Sequence, residues 1–336
     1  MSNSTLFAPK WGRHNRIVIS LLTVAVAIPL ALNILVDPFD LFRVSPLGIG
    51  PFQNQRVRHI TYLDEHPSRF NVLLMGTSIM GINSPSVVEK LVPGSRAYNM
   101  AFFLATPTDL LLAAKHLART GALPSHVIVG VDSFLFVPRE STLSQQFRFP
   151  AVIERVSEGS WWMEAGFASS FSQVANKLFD STSELHSVVY DQARGNYSLP
   201  AAAARIRANP ASHSETVFRP TASRASADLL VAAEFEALGE LVAFFERKKI
   251  RVLWVVQPNS SVLRSSYGPA QYAALKARVL GALRGDVVDL SDYQAVQDDP
   301  LSWYDLKHYT EAAGEVVLAS AIRRSTTYAS FSDTLP

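Results

Sequence analysis

After residue 69 the chain alternates short apolar runs with longer stretches in which apolar residues recur every three or four positions. The short runs are Phe70–Met75, Arg96–Met100, Val127–Val131, Arg251–Val256 and Val287–Leu290, and each reads as a buried strand. The helical stretches are Pro85–Leu91, Pro107–Thr120, Ala225–Lys248, Pro269–Leu283 and Thr310–Arg323. The second carries a start signal, since Thr106 can cap it and Pro107 suits its first turn. Strands alternating with helices predict an α/β fold: a five-stranded parallel sheet in a three-layer sandwich over residues 70–330. Ligands of such sheets bind outside the carboxyl ends of the strands. Ser78, Asn99 and Asp132 follow or end the first three strands, so they are expected along one rim.

Two segments break the alternation. Residues 37–69 are rich in Pro, Gly and polar positions and read as a juxtamembrane connector. Residues 134–224 read as an insertion over the rim, with Trp161-Trp162, an amphipathic helix near 162–179, an Ala-rich stretch at 201–204 and a Ser/Thr-rich run at 212–226.

Ile17 to Val36 is uncharged and almost wholly apolar. A helix of that length matches the roughly 30 Å core of a bilayer. Ala25-Val26-Ala27 could end a signal peptide, but the apolar run continues beyond it, which favours an uncleaved anchor. Lys10, Arg13 and Arg16 precede the span and Asp37 and Asp40 follow it. The positive-inside rule then leaves residues 1–16 in the cytoplasm and puts the rest outside, in the periplasm if there are two membranes.

Composition narrows the chemistry. Thirty-one basic residues nearly balance 29 acidic ones, so nucleic acid is not an expected partner. With no cysteine, disulfides, a cysteine nucleophile and thiolate metal sites are excluded. No phosphate loop or dinucleotide fingerprint occurs, and no cofactor or metal is expected. His59 and His66 fit no zinc spacing and are expected at the surface; His116 falls inside a helix and reads as structural.

Two short pieces point to a reaction. Gly76-Thr77-Ser78 ends the first strand, where a serine hydroxyl can stand near helix N–H groups. Asp305-Leu306-Lys307-His308 lies in a loop just before a helix, and that spacing lets a carboxylate orient an imidazole against the serine. The alternatives are a simple helix cap at Ser78 and a turn at Asp305. Asn259, after the fourth strand, is either a substrate contact or an ordinary turn residue.

These blocks resemble the SGNH (GDSL-like) hydrolase superfamily. Gly76-Thr77-Ser78 is similar to its first block, with Thr where the family has Asp, and Asp305-x-x-His308 to its last. Asn99 and Ala101 stand where the family has an Asn and the oxyanion-hole Gly; Asp132 stands in place of its third-block Asn. The resemblance implies catalytic Ser78, His308 and Asp305, and an oxyanion hole at Ala101 and Asn99. Asp132 cannot donate to an oxyanion when ionised. It therefore has another role, substrate binding among them, or Asn99 supplies the donor, or the site is degenerate. Val36-Asp37-Pro38-Phe39, Gly81-Ile82-Asn83-Ser84-Pro85 and Thr106-Pro107 are similar to a membrane-anchored branch of that superfamily. That branch implies an O-acyltransferase, acetyl being the expected group, acting on an exported cell-envelope polysaccharide beside a multi-spanning membrane acyltransferase. An esterase with the same triad, and a non-catalytic glycan- or partner-binding protein, remain as alternatives.

Overall fold

The structure, a computed structural model, describes residues 8–36, 55–136, 188–191, 193–219 and 231–329. Its centre is a parallel sheet of strands β1 (Val72–Met75), β2 (Ala97–Asn99), β3 (His126–Val131), β6 (Arg251–Val256) and β7 (Asp286–Asp289), in the order β2-β1-β3-β6-β7. The register sets Leu73 between Tyr98 and Val127, and Val129 beside Trp254. Alternate residues face opposite ways, so the sheet feeds two hydrophobic cores. Leu73, Met75, Val127, Val129 and Trp254 enter one core, shared with helices α5 (Pro107–Thr120), α8 (Ala232–Arg247) and α10 (Pro269–Ala282). Val72, Leu74, Ile128, Leu253 and Val255 enter the other, shared with α4 (Pro85–Leu91) and α12 (Glu311–Arg324). Burial on both faces explains why the inner strands read as continuous apolar runs.

Strand Arg251–Val256 and helices Pro85–Leu91 and Pro107–Thr120 have the bounds expected from sequence, and the other elements begin or end within a few residues. The helix expected over 225–248 is described from Ala232, and residues 225–230 lie outside the described residues. Thr106 closes a capping box with Asp109 at the start of α5.

Part of the segment read as a connector is helical. Gln55–Glu65 is a helix, α2, whose inward stripe is Arg56, His59, Ile60 and Leu63. Polar side chains at two of those four positions hide the amphipathic pattern. Arg56 is buried and pairs with fully buried Asp109 at 2.8 Å. His59, expected at the surface, is buried against Tyr98 and Phe102. His66 is half-buried beside Tyr62, and His116 bonds Asp64 of α2 at 2.7 Å.

In the segment read as an insertion, an antiparallel pair β4 (Val189–Tyr190) and β5 (Tyr197–Ser198) leads into helices α6 (Pro200–Ala208) and α7 (Pro210–Val217). The Ala-rich stretch at 201–204 lies in α6. Trp161-Trp162, the helix expected near 162–179 and residues 220–226 of the Ser/Thr-rich run lie outside the described residues. At the N-terminus, α1 (Ala8–Val36) contains a stretch, Gly12–Val36, long and apolar enough to cross a membrane. Most of its side chains are exposed, but Asn33 and Val36 in its last turns are buried.

Candidate active site

Strand β1 stops at Gly76, whose φ of +153° suits glycine. A Cβ there would also stand 2.8 Å from Met80 Cβ and 2.9 Å from the Gly130 carbonyl oxygen. Thr77 then caps a single helical turn, α3 (Ser78–Gly81), by accepting from the Ile79 N–H. Its own hydroxyl donates to Asp132 Oδ2 at 2.6 Å, and Asp132 Oδ1 accepts from the Phe134 N–H at 2.8 Å. Thr77 and Asp132 are both buried, so the carboxylate at the end of β3 ties down the turn at the end of β1. Asp132 is thereby engaged inside the protein through both oxygens.

The Asp305–His308 loop is held from several sides. Trp303 and Tyr309 form an antiparallel bridge, Tyr304 N–H donates to the His308 carbonyl at 2.7 Å, and buried Ser260 donates its hydroxyl to the Leu306 carbonyl at 2.7 Å. His213 of α7 reaches the Trp303 carbonyl at 2.8 Å. Within the loop, Asp305 Oδ1 accepts from the N–H groups of Lys307 and His308, and Oδ2 lies 2.8 Å from His308 Nδ1. Partial loss of solvent raises the Asp305 pKa, but the bonds from the His308 ring and the two N–H groups outweigh it and hold the carboxyl below its ordinary value. An ionised Asp305 can only accept, so Nδ1 carries the proton and Nε2 is left as an acceptor. Ser78 Oγ stands 2.9 Å from that Nε2, across 230 residues of sequence. Ser78 and His308 are both half-buried. The arrangement can draw a proton from the serine hydroxyl and keep the resulting imidazolium beside a carboxylate.

The expected oxyanion donors are employed elsewhere. Asn99 is fully buried; its Nδ2 donates to the carbonyls of Met80 at 2.9 Å and Asn83 at 2.8 Å, and its Oδ1 accepts the Ala101 N–H at 3.0 Å. The amide thereby fastens the end of β2 to α3 and the residues just after it, while the Ala101 N–H is held by the Asn99 side chain, so both expected oxyanion donors already have partners inside the protein. Asn259 is buried and donates to the Tyr272 hydroxyl at 3.3 Å.

No protein-family model matches the chain, and no curated protein sequence is significantly similar to it.

Several residues at the site carried no sequence signal. Tyr197 of β5 donates its hydroxyl to the Ser78 carbonyl at 2.7 Å. Tyr309, next to His308, donates to Gln257 Oε1 at 2.6 Å and accepts from Asn83 Nδ2 at 2.7 Å, which links the histidine loop to the segment just after α3 below the surface. Burial raises the pKa of both tyrosines, so each stays a protonated donor. Their partners are distant in sequence, and only the Gly195-Asn196 turn before Tyr197 hints at a hairpin there.

Proposed function

We propose that this chain is a membrane-anchored serine O-acyltransferase with an SGNH-like three-layer fold. It transfers an acyl group, acetyl being the best candidate, onto an exported envelope polysaccharide. The observation that carries the reading is the hydrogen-bonded chain Ser78–His308–Asp305 at the carboxyl ends of the strands. A helix cap or a structural turn accounts for Ser78 or Asp305 singly, but not for all three groups aligned.

In this reading Ser78 Oγ attacks the acyl carbonyl as its proton passes to His308 Nε2. The tetrahedral adduct expels the leaving group, which takes that proton, and an acyl-serine remains. An acceptor hydroxyl then gives its proton to Nε2 and attacks the ester carbon, and the proton returns to Ser78 Oγ as the product ester leaves. Asp305 holds the imidazole tautomer throughout. With Asn99 and Ala101 engaged, the oxyanion falls to the N–H of Ser78, the first residue of its helical turn and so without a partner inside that turn. Two of the three departures from the family pattern, Thr77 and Asp132, bond to each other. They therefore read as a matched pair that holds the turn, and not as decay of the site.

Anchoring by α1 with the α/β unit on the periplasmic side, and a multi-spanning membrane partner that delivers the acyl group, belong to the same proposal. Partial exposure of Ser78 and His308 admits water and favours one second reading, an esterase with the same triad. The test uses the full-length chain in detergent with a fluorophosphonate probe and p-nitrophenyl acetate. Covalent labelling and turnover should appear in the wild type and vanish in Ser78→Ala. A folded wild type that gives neither sinks the reading. Acetyl transfer to polysaccharide, as against release of free acetate, then separates transferase from esterase.

A further inference from the structure

We propose that Tyr197 is a positioning residue that, from the hairpin at 189–198, fixes the peptide following Ser78 and so aims the serine hydroxyl at His308. The inference rests on the reading of Ser78 as a nucleophile and adds to it a segment outside the central sheet.

The contact is built closely. Tyr197 is buried, and its hydroxyl donates to the Ser78 carbonyl at 2.7 Å. Its ring lies against the α-carbon of Gly81, where an added Cβ would be 2.6 Å from Tyr197 Cε1. Phe103 meets the same ring edge-on at 4.9 Å between centroids. The turn that presents the ring is docked independently. Asn99 N–H donates to the Arg194 carbonyl at 2.8 Å, and Arg194 pairs with Glu89 of α4 at 2.9 Å. Gly195 has φ +81°, and a Cβ there would fall 2.0 Å from the Asn99 carbonyl oxygen. Asp191 closes the hairpin by accepting from Ala193 and Arg194 N–H through its carboxylate.

This geometry has a consequence for the nucleophile. Ser78 sits in a helix of one turn, which alone is a weak frame for a side chain that must keep its alignment. Thr77 and Asp132 hold the turn on its N-terminal side. Tyr197 holds the next peptide, so the backbone is pinned on both sides of the reacting oxygen. Small misplacements of a reacting group cost up to about 100-fold in rate.

The experiment compares fluorophosphonate labelling of full-length wild type, Tyr197→Phe, Tyr197→Ala and Ser78→Ala in detergent, with urea midpoints recorded for each. Tyr197→Phe keeps the ring and removes only the donor. The expected result is labelling roughly 10–100-fold slower in Tyr197→Phe, with its urea midpoint and the pH midpoint of labelling near those of the wild type. Labelling at the wild-type rate in Tyr197→Phe but lost in Tyr197→Ala means that the ring only packs, and overturns the inference while Ser78 stands as nucleophile. A wild type that does not label removes the acyl-serine reading. The inference is then decided by the ring nitrogen signals of 15N-labelled His308: a Ser78 hydrogen bond lost in Tyr197→Phe upholds the positioning role, and one unchanged overturns it.

Discussion

Acid should weaken this fold by an amount that one buried histidine sets. His59 is 2 % exposed, with Nδ1 2.8 Å from the Tyr98 hydroxyl. Burial first, and the Arg58 charge second, lower its pKa from 6.5 to about 3. The folded chain therefore keeps a neutral ring at pH values where the unfolded chain binds a proton. Stability associated with His59 is complete above its unfolded pKa and declines as pH falls from 6.5 towards 3, at about 1.4 kcal/mol per pH unit. At about pH 4.5 the loss amounts to roughly 2.5–3 kcal/mol, against a total stability of about 5–15 kcal/mol for a typical protein. His126, lowered to about 4 by burial and by Arg251, acts in the same direction. The perturbation is His59→Asn, whose amide can replace Nδ1 at Tyr98 but does not titrate. Urea midpoints of the full-length chain in detergent, taken from about pH 7.5 to about pH 4.5, should show a variant less stable at neutral pH yet less sensitive to acid, by roughly 2.5 kcal/mol over that range. Parallel pH profiles for wild type and variant would refute the argument, because they would mean that His59 titrates alike in both states.

Asp305→Asn should leave the fold intact and slow labelling of Ser78 by about 10²–10⁴-fold, since the amide no longer enforces the tautomer that frees Nε2; undiminished labelling would remove Asp305 from the triad. Gly130→Ala places a Cβ 2.1 Å from Gln257 Nε2 and 2.8 Å from Met80 Cε, which should lower stability by about 1–3 kcal/mol in chemical denaturation. Arg56→Met strands the buried Asp109 carboxylate and should cost about 3–5 kcal/mol, part of which Arg56→Met with Asp109→Leu recovers. A double variant no more stable than the single one would show that the pair's charge is not what matters there.

The central sheet was legible because its inner strands are buried on both faces and its helices carry ordinary start signals, as at Thr106-Pro107. Helix Gln55–Glu65 was not, because its inward face presents Arg56 and His59 where the pattern calls for apolar residues. Their compensation, Asp109 and Tyr98, lies elsewhere in the chain. At the site, the proximity of Ser78, Asp305 and His308 followed from a serine at a strand end and an Asp-x-x-His loop. The use of Asn99 and Ala101 did not follow, since a motif position does not reveal whether its donors are already consumed. Tyr197 was invisible for a related reason: its partner is a backbone carbonyl 119 residues away, which places no demand on residue type.

The long sequence separation between Ser78 and His308 bears on how the protein is made. A ribosome extends a chain by about 5–20 residues per second, so His308 is added roughly 10–45 s after the serine. Throughout that interval Ser78 lacks its His308 partner and the Trp303–Tyr309 loop that holds it. If Ser78 is the nucleophile proposed above, its reactivity arrives only once the Asp305–His308 loop has been made and seated.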